Sequence, residues 1–383
     1  MKVMHVISSG GMYGAESVIL NISRLLNENS HHAVIAMFAN SANINIQLHK
    51  SAQDEGIESY LIPCDGQVDL SAMEFIRNLV LQIKPDIVHA HGYKADAYVY
   101  LALRKLSIPF VSTCHTWHNS TVFDYIYGVI DRRFLRRFPA VVAVSDEVSG
   151  QLLRGGVQPD KISLIGNGID LRPYTNARPS LRESGEANGC LLVGLVGRLA
   201  NEKGVDIFFQ AAARVLSEIP NVRFTVIGDG PDRSKLQGLL KRMKIDSSVT
   251  MLGRRDDMPS VYASLDLMVS ASRQEGFPMA ILEGMASGLP IVATSVGSVP
   301  SIIVHEESGV LVGPENVEVL ANQMVALLKD SARRQRLGRG ARERVEKEFS
   351  VERLVGAYLS VYQRAIDFVK VADRASAPGG KVM

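Results

Sequence analysis

The segment ASRQEGFPMAILEGMASGLPIVAT sets two carboxylates, Glu275 and Glu283, eight positions apart around the start of a helix. Eight residues make about two helical turns, so both side chains reach roughly the same face and can serve one bound ligand. Gly276 and Pro278 open that helix, whose unpaired N–H groups and dipole suit a phosphate. Glu283 can accept two hydrogen bonds from neighbouring hydroxyls, the pattern a ribose presents. Upstream, VGLVGRLANEKGVDIFFQAA ends a strand at Gly197 and offers Arg198 and Lys203 before the next helix. Two fixed cations at a strand end stabilise charge that builds on a departing diphosphate, a task other sites give to a metal ion. Read alone, the same residues also describe a solvated helix face and a solvated basic loop.

Two further groups sit at strand ends. In SSGGMYGAESVILNIS, the glycines Gly10, Gly11 and Gly14 let the backbone approach a ligand closely or form a plain tight turn. Histidines fall in DIVHAHGYKAD (His89, His91) and in VSTCHTWHNS (His115, His118). His-x-His with no fixed Cys or carboxylate partner is a weak zinc signal, so no metal is expected.

These residues need elements to hold them. Short Val- and Ile-rich runs alternate with amphipathic stretches, the pattern of parallel strands covered by helices on both faces. Strands are expected at 3–8, 33–38, 57–62, 86–90, 109–114, 140–144 and 162–165, and a second series at 190–196, 222–227, 249–252, 267–270, 290–293 and 309–312. The polar stretch 173–189, with its prolines and glycines, reads as a linker between a first domain, 1–172, and a second, 190–352. A helix over about 353–373 is expected to pack back on the first domain. Ligands of open α/β sheets bind beyond the carboxyl ends of the strands, so two such domains facing each other imply a cleft lined by strand-end loops.

Composition sets the class. With 383 residues, 46% hydrophobic and 21% charged, the chain is long enough for two packed cores. Lys and Arg number 42 against 40 Asp and Glu, which gives no electrostatic reason to expect a nucleic-acid partner. The cysteines Cys64, Cys114 and Cys190 are scattered and odd in number, which argues against a disulfide framework and fits a reducing cytoplasm. The opening MKVMHVISSGG reads as a first strand rather than a signal peptide, and no apolar run is long enough to span a bilayer.

The EGFPMAILE segment resembles the Glu-x7-Glu element of the retaining family 4 glycosyltransferases, whose GT-B fold sets two Rossmann-like domains around a cleft. That resemblance implies a nucleotide-sugar donor, UDP- or GDP-linked, in the second domain. Glu275 would lie by the donor sugar and Glu283 on the ribose, with Gly276, Phe277 and Pro278 facing sugar and pyrophosphate. Gly197-Arg198 and Glu202-Lys203-Gly204 are similar to the family's pyrophosphate-gripping element. His115 matches the histidine lining the reaction centre, with His118 and His91 as second choices. Gly10, Gly11 and Gly14 match the first-domain glycine loop, and Tyr13 departs from it. LIGNGID and VIGDGPDRSKL match turns of the family, and MLGRRDDMPSVYASLDL matches its base-side loop, which places Gly253 and Arg254 beside the nucleobase.

The implied reaction moves a sugar to a hydroxyl acceptor with retention and without a metal, in polysaccharide, lipopolysaccharide or lipid-linked glycan assembly. The run YIYGVIDRRFLRRFP, with Arg132, Arg133, Arg136 and Arg137 among apolar residues, suits either an anionic membrane surface at the inner face of the cytoplasmic membrane or a helix packed on its own sheet. Rival readings are a nicotinamide oxidoreductase, from the VIGDGPDR turn, an epimerase or hydrolysing enzyme of the same fold, and a non-catalytic sugar-nucleotide binder.

Overall fold

A computed structural model of the chain describes residues 1–9, 11, 14–40, 46–66, 68–114, 122–183 and 189–376. They form two compact units, Met1–Gly168 with Val351–Met383, and Ile169–Ser350.

The first unit is built on strands β1 (Lys2–Ile7), β2 (His32–Ala39), β3 (Glu58–Pro63), β4 (Ile87–His91), β5 (Phe110–Cys114), β6 (Ala140–Ala143) and β7 (Ile162–Leu164). All run parallel in the order β3-β2-β1-β4-β5-β6-β7. Each expected strand is present within a residue or two at its ends. Burial on both faces explains the near-continuous apolar runs: β4 and β5 are buried at every position.

The histidines of β1 and β4 are core residues. His5 pairs in register with His89, and His5 Nδ1 hydrogen-bonds His91 Nε2 at 3.0 Å. Ligating atoms of His5, His89 and His91 lie within 4.8 Å of one another, which is close enough for a shared ion. Yet both ring nitrogens of His89 are already engaged, Nδ1 with the Tyr362 hydroxyl at 2.7 Å and Nε2 with Thr113 Oγ1 at 2.8 Å. Thr113 Oγ1 in turn meets the Tyr358 hydroxyl at 3.0 Å. Tyr358 and Tyr362 stand one turn apart on the helix Val351–Ser376. The circuit from helix to β4 to β5 and back therefore fastens this C-terminal helix to the sheet of the first unit. Burial pushes the His5 imidazole down to about pKa 3, so it stays neutral.

A second buried polar pair lies on helices Tyr93–Leu103 and Val122–Leu135, where Asp96 faces Asp131. Burial first, then the neighbouring carboxylate, drives the Asp96 carboxyl well above its ordinary range.

The second unit carries β8 (Leu191–Val196), β9 (Val222–Ile227), β10 (Val249–Gly253), β11 (Leu267–Ser270), β12 (Ile291–Thr294) and β13 (Val310–Val312), parallel in the order β10-β9-β8-β11-β12-β13. Alternation sends Val193, Leu195, Val269 and Val292 into one core, and Leu192, Met268, Ile291 and Ala293 into another on the opposite face. Each buried aliphatic side chain contributes about 1.5–3 kcal/mol. In both units the strand order reverses beside the first strand, which is the doubly wound Rossmann arrangement and opens a crevice at the carboxyl ends there.

The stretch expected to be a bare linker, 173–189, differs: short helices Arg172–Thr175 and Ser180–Glu183 occupy it and pack on the helix Met258–Ala263. Leu181 is buried, and its backbone N–H donates to Ser264 Oγ at 3.0 Å. Among the described residues, no helix is long and apolar enough to cross a membrane.

Candidate active site

In the second unit the reversal falls between β8 and β11, so the loops after Val196 and Ser270 meet at the crevice. The first loop carries Arg198 and Lys203, the second Glu275. Lys203 Nζ donates to both Glu275 oxygens at 2.7 Å, and Ser272 Oγ donates to Oε1 at 2.7 Å. Glu275 is buried and Lys203 three-quarters so. Removing one partner of such a pair leaves a charge uncompensated at a cost of about 3–5 kcal/mol. Arg198 is exposed.

Glycines make these loops possible. Gly204 has φ +61°, and a Cβ there would stand 1.9 Å from the Ala271 carbonyl oxygen. Gly228, in the VIGDGPD turn, approaches the Gly197 carbonyl so closely that a Cβ would lie 2.0 Å from it. Leu199 N–H donates to the Asp229 carbonyl at 3.0 Å. This turn therefore packs under the Arg198 loop and supports it, which accounts for its glycines without a dinucleotide.

Arg273, between Ser272 and Glu275, binds Asp206 bidentately at 2.8 Å for both bonds, the Asn201 carbonyl at 2.8 Å and Glu315 Oε1 at 2.7 Å. Its hydrogen bonds hold the Asp206 carboxyl below the usual range.

Pro278 is buried and stands just before the helix Met279–Ala286, so Glu275 and Gly276 belong to the loop rather than to the helix. Ser298 Oγ donates to the Gly276 carbonyl. Phe277 packs near Phe349, ring centres 6.0 Å apart. Glu283, within the helix, accepts from the Tyr262 hydroxyl at 2.7 Å. Burial raises its carboxyl, and that hydrogen bond opposes the rise. Gly253 closes β10 at φ +75°, and Arg254 after it is exposed, its Nε 3.9 Å from Asp256 Oδ1.

In the first unit, Gly11 is buried, its N–H bonded to Ser9 Oγ at 3.2 Å, and Gly14 starts the helix Gly14–Glu28. Gly10, Tyr13, His115 and His118 lie outside the described residues.

Sequence reading missed Ser272, Arg273, Gly297 and Ser298 as parts of this site. Of these, only Gly297, a glycine shortly after the strand Ile291–Thr294, is of a type that marks a turn in the sequence.

Two family models cover most of the chain: "Glycosyltransferase Family 4" over residues 12–172 and "Glycosyl transferases group 1" over residues 191–330. The chain belongs to the group 1 glycosyltransferases. Among its relatives, this glycosyltransferase is 29% identical over 284 residues to N-acetyl-alpha-D-glucosaminyl L-malate synthase of Bacillus anthracis, covering 72% of this chain and 74% of that one. It is 30% identical over 312 residues to a sulfoquinovosyl transferase of Arabidopsis thaliana, covering 76% of this chain and 60% of that one. It shares its fold with Anabaena HepE, solved in complex with UDP and glucose, at a TM-score of 0.83 and 22% identity over 95% of this chain and 99% of that one. Membership removes the nicotinamide oxidoreductase reading and places the glycosyltransferase with enzymes rather than passive binders.

Proposed function

We propose that this glycosyltransferase moves a sugar, with retention of configuration, from a nucleoside diphosphate donor to a hydroxyl acceptor, and that the donor is held by the second unit. The observation that carries the proposal is the Lys203–Glu275 pair at the crevice between β8 and β11. A lysine held by a carboxylate is poised to exchange part of that contact for an incoming phosphate. Arg198, exposed on the same loop, adds the second positive charge. As the glycosidic bond breaks, both neutralise charge building on the leaving diphosphate, so the reaction runs without a divalent ion. Glu275 then meets the sugar hydroxyls, while Glu283 accepts from the ribose, Gly276 to Pro278 border the pyrophosphate, and Gly253 and Arg254 flank the base. The family resemblance also implies donor roles for Gly11 and Gly14 of the first unit, and for Gly10 and His115, which lie outside the described residues. A uridine nucleotide is the first choice of donor, since the fold relative from Anabaena was solved with UDP.

The acceptor is a growing glycan or lipid-linked sugar at the cytoplasmic face of a membrane. Its support is the surface around 129–137, where Val129, Ile130, Arg133, Arg136 and Arg137 are exposed. Arg136 is partly committed to the Gly155 carbonyl at 2.7 Å and Arg137 stands over the Tyr100 ring at 5.7 Å, so Arg133, with the exposed part of Arg137, meets anionic headgroups. Sedimentation with anionic liposomes, unchanged in R133S/R137S, would remove the membrane contact.

The donor reading is tested by thermal shift with a panel of nucleotide sugars, followed by transfer assays on Lys203→Ala and Glu275→Gln. Both variants lose transfer by about 10²-fold or more, and chelator leaves the native rate unchanged. Activity that vanishes with chelator and returns with manganese, or a β-linked product from an α-linked donor, overturns it.

A further inference from the structure

Lys203 and Glu275 come from different loops, and nothing in either loop alone sets their distance. Acceptors from three residues converge on one guanidinium next to them. Arg273 occupies the Glu275 loop. Its Nη1 and Nη2 grip Asp206 in the first turn of the helix Val205–Glu218, Nη1 also reaches the Asn201 carbonyl, and Nε reaches Glu315 before the helix Val317–Lys329. The backbone joins in, since the Arg273 N–H donates to the Glu202 carbonyl at 2.8 Å. Asn201, Glu202 and Asp206 bracket Lys203 in sequence, so the short 3-10 turn Asn201–Lys203 is pinned to the Glu275 loop on both sides of the lysine.

We infer that Arg273 is a positioning residue that locks the Lys203 turn against the Glu275 loop, so that cation and carboxylate address the same donor group. The inference rests on the donor-site reading above. Arginine suits the task because its planar fork satisfies several acceptors at fixed angles, which a lysine ammonium does not. Arg273 itself needs no contact with the donor. Its effect passes through Lys203, and displacement of such a group by about 1 Å costs on the order of 10²-fold in rate.

The test is a double-mutant cycle on kcat/KM for the donor. Arg273→Gln is expected to lose about 10²-fold, and Arg273→Lys, which keeps a charge for Asp206, to fall between it and the native enzyme. In the Lys203→Ala background, Arg273→Gln should cost no more than about threefold further, because the group it positions is gone. Losses that multiply in the double variant, or an Arg273→Gln enzyme within twofold of native, overturn the proposal. If Arg273→Gln does not fold, Asp206→Asn carries the same comparison. Hydrogen exchange over residues 201–206 separates this inference from the donor-site reading. Faster exchange in Arg273→Gln together with a fully active Lys203→Ala keeps the lock and discards that reading, whereas unchanged exchange discards the lock.

Discussion

Gly297 lies so close to Glu275 that a Cβ on the glycine would stand 1.8 Å from the glutamate's carbonyl oxygen, and its φ of +52° belongs to the left-handed region. The turn after β12 therefore presses directly on the backbone of the Glu275 loop. Gly297→Ala is expected to destabilise the second unit by roughly 1–2 kcal/mol from backbone conformation alone, with the steric overlap adding to it. Transfer should fall more than stability explains, because the loop must shift. Calorimetry and donor kinetics on the same preparation check this, and a variant with native rate would show that the contact does not govern the site.

Tyr262 tunes Glu283. Its hydroxyl stabilises the ionised carboxylate against burial, so Tyr262→Phe should raise the Glu283 carboxyl further. A ribose contact needs the ionised form, so nucleotide affinity should begin to fall at a higher pH in the variant than in the native enzyme. Titration calorimetry with UDP from about pH 5 to pH 8 reads the shift. Superimposable profiles would detach Glu283 from the nucleotide.

Asp96 makes a prediction about stability and pH. Its folded carboxyl is raised above the unfolded value, so its contribution is present below the ordinary carboxylate range and is lost as pH climbs through the raised value. Asp96→Asn removes that loss. The variant should melt above the native protein at about pH 8, with the gap closing toward about pH 4. A constant difference across that range would count against a raised Asp96 carboxyl in the folded protein.

Tyr362→Phe should leave His89 Nδ1 without its hydroxyl partner, at a cost of about 1–3 kcal/mol. Urea unfolding gives the number. A neutral result would mean that the histidine finds another partner and that the circuit to the C-terminal helix does not secure it.

The strands were legible because a parallel sheet buried on both faces demands unbroken apolar runs, and Val222–Ile227 and Leu267–Ser270 fall where those runs do. The loops carrying Arg198, Lys203 and Glu275 stood out through their resemblance to the family, since a basic loop and an acidic helix start read alone also describe solvated surface. Arg273 was not legible, because its meaning lies in acceptors on Asn201, Asp206 and Glu315, all more than forty positions away, and its type is shared with many solvated arginines. His89 and His91 drew attention as candidates for chemistry, yet His5, fixed beside His89 only by the register of β1, turns them into a core network. The helices within 173–189 escaped notice because four-residue helices are too short to display periodicity.

Ile169 pairs with Ser350, and its N–H donates to the Phe349 carbonyl at 2.9 Å, so the chain enters and leaves the second unit side by side. Residues 169–350 are thus a cassette with adjoining ends, spliced into a host whose last helix is supplied only afterwards. A ribosome making this protein must finish the cassette before the host sheet receives Tyr358 and Tyr362. A homologous cassette whose ends meet at the same spacing can be grafted in its place with the host sheet left untouched.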